Sequence, residues 1–206
     1  LVYSGRQLDI CFNVLTALNP AKDQKAPSPM KKTIMTILPI ILALFAALAI
    51  TFMIDRDGFW QRLAGNPKLD QANFQTLEPA LKPNEALACP GKNLIDFCPL
   101  RAPDIETGAY AVGVGDLSIQ IRNILAELPL IERLDDGSDP LKFHFVRRTP
   151  ILRFPDVFTI ELIKLGIVKS TLAIHGRALV GQSDMGNNLK LTKQILRALA
   201  KFEIKP

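Results

Sequence analysis

The run from Thr33 to Ile54, 22 residues without a charge, constrains this chain more than any other feature. A helix rises about 1.5 Å per residue, so the run reaches about 33 Å, enough to cross a hydrocarbon core of about 30 Å. Pro39 falls near its N-terminal end, where a missing backbone donor costs least. A cleaved signal peptide has an apolar stretch of about 7–15 residues and a small-residue exit site. This run is longer, and Asp55-Arg56-Asp57 follows it directly. The segment 30–57 therefore reads as a single-pass membrane anchor. Lys22, Lys25, Lys31 and Lys32 precede the run, the last two abutting it; Arg56, Arg62 and Lys68 follow on the other side. That bias places the N-terminus in the cytoplasm, at a bacterial inner membrane, and the C-terminal domain on the exported side. Phe59-Trp60 lies where an aromatic belt is expected.

Upstream, Ala26-Pro27-Ser28-Pro29 is a stretch no helix would cross, and Met30-Lys31-Lys32 looks like a translation start. Residues 1–29 read as an upstream extension or a cytoplasmic tail. Downstream, Gly65-Asn66-Pro67, Glu78-Pro79 and Lys82-Pro83-Asn84 punctuate a linker or collar over 58–88. The remainder, 89–206, reads as one α+β domain.

Within that domain the hydrophobic period changes from segment to segment. Leu117, Ile121, Ile124, Leu125 and Leu128 share one helical face behind Asp116, an N-cap residue type. Tyr110 to Val114 and Leu130 to Leu134 read as short strands. Leu141, Phe143 and Phe145 alternate with polar residues, as do Phe158, Ile160 and Leu162, and then Leu172 and Ile174. Leu191, Ile195, Leu199 and Phe202 stripe a last helix from Met185 to Phe202. The short links imply an antiparallel sheet of about four to five strands with helices packed on one face.

At 48% hydrophobic residues the chain has enough apolar content to build a core, which excludes disorder throughout. The net charge of +5 comes from scattered Lys and Arg with no recognition motif, so nucleic acid is not a partner. His144 and His175 are the only histidines and lack finger-like spacing, so neither a metal nor a cofactor is called for. Cys89 and Cys98 are spaced to close a short disulfide loop if the domain is exported.

Candidate binding residues concentrate around irregular links. Arg148, Arg153 and Arg177 offer guanidinium forks that can hold a carboxylate or phosphate. The alternative is that Arg148 or Arg153 pairs with Asp156 or Asp184 and pins its loop. His175, Ser183 and Asp184 are the residue types of a hydrolytic triad, yet the Gly-x-Ser-x-Gly elbow is absent. Ser183-Asp184 directly before an amphipathic helix reads instead as an N-cap. Lys190, Lys193, Arg197 and Lys201 line the polar face of that helix.

Three strings carry a resemblance: Pro83-Asn84-Glu85-Ala86-Leu87-Ala88-Cys89-Pro90, Arg153-Phe154-Pro155-Asp156, and Gly181-Gln182-Ser183-Asp184-Met185-Gly186-Asn187-Asn188. In this order they resemble the bacterial and plastid family known as domain of unknown function 1499, over about residues 83–202. Its usual Ser-Asp-Leu-Gly-x-Asn is matched by Ser183, Asp184, Met185, Gly186 and Asn188. Members often carry a second Cys sooner after Cys-Pro than Cys98 stands here. The resemblance implies no activity, cofactor or partner. It draws Ser183, Asp184 and Asn188 into the candidate site beside the three arginines. The leading expectation is a membrane-anchored domain that binds an anionic small molecule or an envelope protein. The alternatives are an envelope hydrolase or transferase using the Arg/Ser/Asp/Asn cluster, and a purely structural membrane-associated domain.

Overall fold

The computed structural model describes residues 29–204, so the extension expected over 1–29 lies, Pro29 apart, outside the described residues. The chain divides into two compact units, 1–50 and 51–206. The first unit's described part is helix α1 (Pro29–Ile54) as far as Ile50, with Pro39 inside it. Its side chains are exposed from Thr33 to Thr51. An amphipathic helix sorts apolar residues to one face; α1 is apolar all round. By length and composition it can cross a membrane.

The second unit begins with the last turn of α1. Asp55 alone separates α1 from α2 (Arg56–Ala64), and its carboxylate caps α2 by accepting from Gly58 N at 2.8 Å. A short 3₁₀ turn follows at Pro67–Leu69. The sheet contains β1 (Glu85–Pro90), β2 (Ile105–Thr107), β3 (Ile131–Arg133), β4 (Lys142–Arg148), β5 (Pro155–Lys164) and β6 (Ser170–Ala178). Their spatial order is β2-β1-β6-β5-β4-β3. Only β1 and β2 run parallel, and every other neighbouring pair is antiparallel.

The expected antiparallel sheet of four to five strands is thus corrected to a mixed sheet of six. The difference arises at β1 and β2. β1 is buried at five of its six positions, so it shows no apolar–polar alternation, and Glu, Ala and Pro are poor strand formers. β2 is three residues long, and the crossover through residues 91–104 makes it parallel. The strand expected from Tyr110 to Val114 is reduced to bridges from Tyr110 to Ser170 and Glu203, because Gly113 already opens α3 (Val114–Glu127). The last helix, α4 (Asn187–Leu199), starts two residues later than its pattern suggests. Met185 (φ 55°) and Gly186 (φ 76°) are left-handed, a conformation no helix accommodates.

Helices α3 and α4 pack on one face of the sheet. Leu117, Ile121, Leu191, Ile195 and Leu199 meet Phe143, Phe145, Phe158, Ile160, Leu172 and Ile174. Phe145 and Phe158 stack across β4–β5 with centroids 5.2 Å apart. Gly176 makes room for that ring: a Cβ there would lie 2.3 Å from Phe158 Cε1. The opposite face is covered by irregular chain. Phe74 from the collar and Cys98 from the crossover pack on Leu87, Cys89, Ile163 and Ala173. Cys89 and Cys98 are disulfide-bonded, with Cα atoms 6.4 Å apart. His144 Nε2 reaches Pro67 O at 2.9 Å, and Thr159 Oγ1 accepts from Ala72 N at 3.0 Å. The collar is therefore a strap hydrogen-bonded across the sheet.

Candidate functional site

The strap and the sheet border an open cleft of about 760 Å³. Its floor comes from β1 and β6, where Glu85 stands opposite Arg177 and Leu87 opposite His175. Residues separated by two on a strand share a face, so Glu85, His175 and Arg177 all point toward the strap. His175 Nε2 lies 3.1 Å from Glu85 Oε2, and Arg101 Nη1 donates to the same oxygen at 2.6 Å. Arg177 donates to Asp70, which the strap positions just after its 3₁₀ turn. Asn84, Lys82 and Leu77 complete the wall.

These contacts fix the charges. The hydrogen bond from His175, helped by Arg101, holds the Glu85 carboxyl down at about 2 despite burial. An ionised carboxylate accepts only, so His175 Nε2 carries the proton in that bond. Asp70 likewise holds the Arg177 guanidinium in its charged form. The second carboxylate oxygen of Asp70 is buried and takes no hydrogen bond from any described residue. The cleft is thus lined by fixed charges of both signs that are paired with one another.

The residues singled out from sequence fall into three places. Arg177 lines the cleft. Arg148 and Arg153 meet elsewhere, on α2: Arg153 holds Asp57 bidentately at 3.0 and 2.7 Å, and Arg148 Nε lies 3.2 Å from the same carboxylate. Arg148 also donates to Glu132 at 3.4 Å. Both arginines are thus paired, but with Asp57 instead of Asp156 or Asp184. The Arg153 hydrogen bond, with Arg148 nearby, holds Asp57 below the usual carboxylate range. Ser183, Asp184 and Asn188 form the entrance to α4. Asp184 accepts from Gly186 N at 3.0 Å and Asn188 N at 2.6 Å, while Ser183 Oγ accepts from Met185 N at 3.2 Å. His175 and Ser183 do not pair, since each hydrogen-bonds elsewhere.

The three resemblance strings converge in space. Asn188 Nδ2 donates to Asn84 O at 2.9 Å, Asn84 Nδ2 donates to Ala178 O at 3.1 Å, and Ala178 pairs with Asp156 across β5–β6. Burial, reinforced by the charge of Asp184, pushes the Asp156 carboxyl up to about 6 against the pull of Arg147. The start of β1, the start of β5 and the cap of α4 therefore form one corner of the domain, and Asn84 and Ala178 of that corner also line the cleft. Compared with known proteins, the chain matches no family profile and no curated sequence.

Sequence reasoning missed Asp70, Glu85 as a charged group, and Asp57. Glu85 had one available signal: it stands among apolar residues in a string already singled out. Asp57 and Asp70 had none, because their partners lie 96 and 107 residues away.

Proposed function

We propose that the chain is a membrane-anchored binding protein whose ligand occupies the cleft under the strap. The observation that carries this reading is the Glu85–His175–Arg177–Asp70 constellation facing a cavity large enough for a small molecule. The ligand class is a small polar molecule with an acidic group for Arg177 and Lys82, and N–H or O–H donors for Glu85. The hydrolase or transferase reading is weaker. A carboxylate held at about 2 is a poor general base near neutral pH, and the Ser183 hydroxyl is spent on its own turn.

The anchor is the exposed apolar helix, and the Cys89–Cys98 bond supports an exported, oxidising location for the domain. Native mass spectrometry of the full chain released from detergent tests the ligand. The expected result is a co-purifying small molecule that is absent from the Arg177→Gln chain. An adduct-free wild-type spectrum at every detergent and pH tried would count against the cleft as a binding site. Carbonate washing of membranes tests the anchor: a retained helix keeps the chain in the pellet, and a cleaved signal sequence releases it.

A further inference from the structure

The link between β4 and β5, residues 149–154, ends in two apolar side chains that face solvent: Ile151 is 78% exposed and Leu152 45%. The backbone beneath them is held firmly. Arg56 Nη1 donates to Ile151 O at 3.1 Å, and Trp60 Nε1 donates to Leu152 O at 2.5 Å. Trp60 packs on Phe154 with centroids 4.7 Å apart, and Arg153, at φ 59°, turns back to grip Asp57. All these holding residues belong to α2, which starts two residues after Ile54. Phe52, in the last turn of α1, meets both Phe59 and Trp60 edge-on at 5.4 and 6.1 Å.

A solvent-facing link is ordinarily polar, and nothing about turning from β4 to β5 requires Ile-Leu at the tip. The location supplies the reason. Where α1 leaves a bilayer, the next several residues lie within the headgroup layer. The tip is fastened to those residues by two carbonyl hydrogen bonds, an aromatic contact and an ion pair. An aromatic group at Phe59-Trp60 and the cations Arg56 and Arg62 around it match that layer's chemistry.

We propose that Ile151 and Leu152 insert into the leaflet from which α1 emerges, giving the domain a second point of attachment to lipid. This rests on reading α1 as the anchor.

The test uses the full chain in vesicles of phosphatidylcholine and phosphatidylglycerol, with Cys11→Ser to leave a single reactive thiol. An environment-sensitive fluorophore is placed at Ile151→Cys, or at Ile167→Cys as reference. Ile167 is 90% exposed in the turn after β5, the far end of a ten-residue strand, about 30 Å away. Doxyl-labelled lipid with a shallow quencher is expected to reduce emission at position 151 about twofold and leave position 167 unchanged. Equal quenching at both positions, or none at either, in a chain that floats with the vesicles would overturn the insertion while leaving the anchor intact. A chain that fails to float would overturn both.

Discussion

Glu85 on β1 and Asp156 on β5 flank the same end of β6, opposite Arg177 and Ala178, yet their surroundings push them in opposite directions. Glu85 is depressed from 4.5 to about 2, so its stabilising contribution is complete above about 4.5 and is lost as pH falls toward 2. By linkage this amounts to about 3 kcal/mol at most. Asp156 is raised from 3.8 to about 6, so the folded state is favoured below about 4 and loses that advantage as pH climbs through 6. Asp156→Asn should therefore stabilise the protein at pH 7 by up to about 3 kcal/mol and change little at pH 4. Glu85→Gln should destabilise at pH 7 and flatten the acid limb of the stability curve. Urea midpoints for both variants at the two pH values check this; a shared direction of change would contradict the opposed environments. Asp57→Asn keeps an acceptor for Arg153 but removes the charge, at a site where the carboxylate is 38% exposed. The expected loss is about 1–2 kcal/mol by the same measurement. Arg148, Arg153 and Arg177 were legible as charged candidates in the sequence, and Asp156 as a possible partner for one of them. A guanidinium beside Pro or Gly draws notice by itself, whereas Asp57 and Asp70 acquire meaning only from residues far along the chain.

β4, β5 and β6 were legible because one face of each packs on α3 and α4, and burial on that face imprints a period of two on the sequence. β1 left no such imprint, since its strap-facing Leu87 and Cys89 are as apolar as Ala86 and Ala88 on the other face, whereas the buried strap-facing positions of β4, β5 and β6 include His144, Thr159, Thr171 and His175. The α4 stripe was equally clear, but its start was displaced by two left-handed residues whose conformation depends on the cap. Asp184 receives two backbone donors there, so Asp184→Ala should cost about 0.5–2 kcal/mol, and Ser183→Ala less because its single bond lies within an exposed turn. Matched thermal melts of the two variants rank them. Gly176 presents the reverse case, where a residue's smallness serves a neighbouring element. Its added methyl would strike a ring stacked between β4 and β5, so Gly176→Ala should destabilise by about 1–3 kcal/mol although β6 itself would accept alanine readily.

At the scale of the whole molecule, the division between the apolar helix and the domain falls at residue 50/51, inside α1. The aromatic and ionic contacts of α2 explain why. Phe52, Asp57 and Trp60 are all committed to the domain side, two of them to residues about 90 positions later. A soluble fragment beginning at residue 51 should therefore retain the whole domain. One beginning at residue 66 should not: Arg148 would lose Asp57 and keep Glu132, Arg153 would lose Asp57, and Phe154 would lose its aromatic partner. Losing these contacts together should cost about 3–5 kcal/mol. For a domain of this size that lowers the melting temperature by about 10 °C. Differential scanning calorimetry of the two fragments at matched salt measures it directly. Coincident transitions would mean that residues 51–65 act only as a tether, and the rigid fastening of the 149–154 tip to α2 would then lose its structural basis.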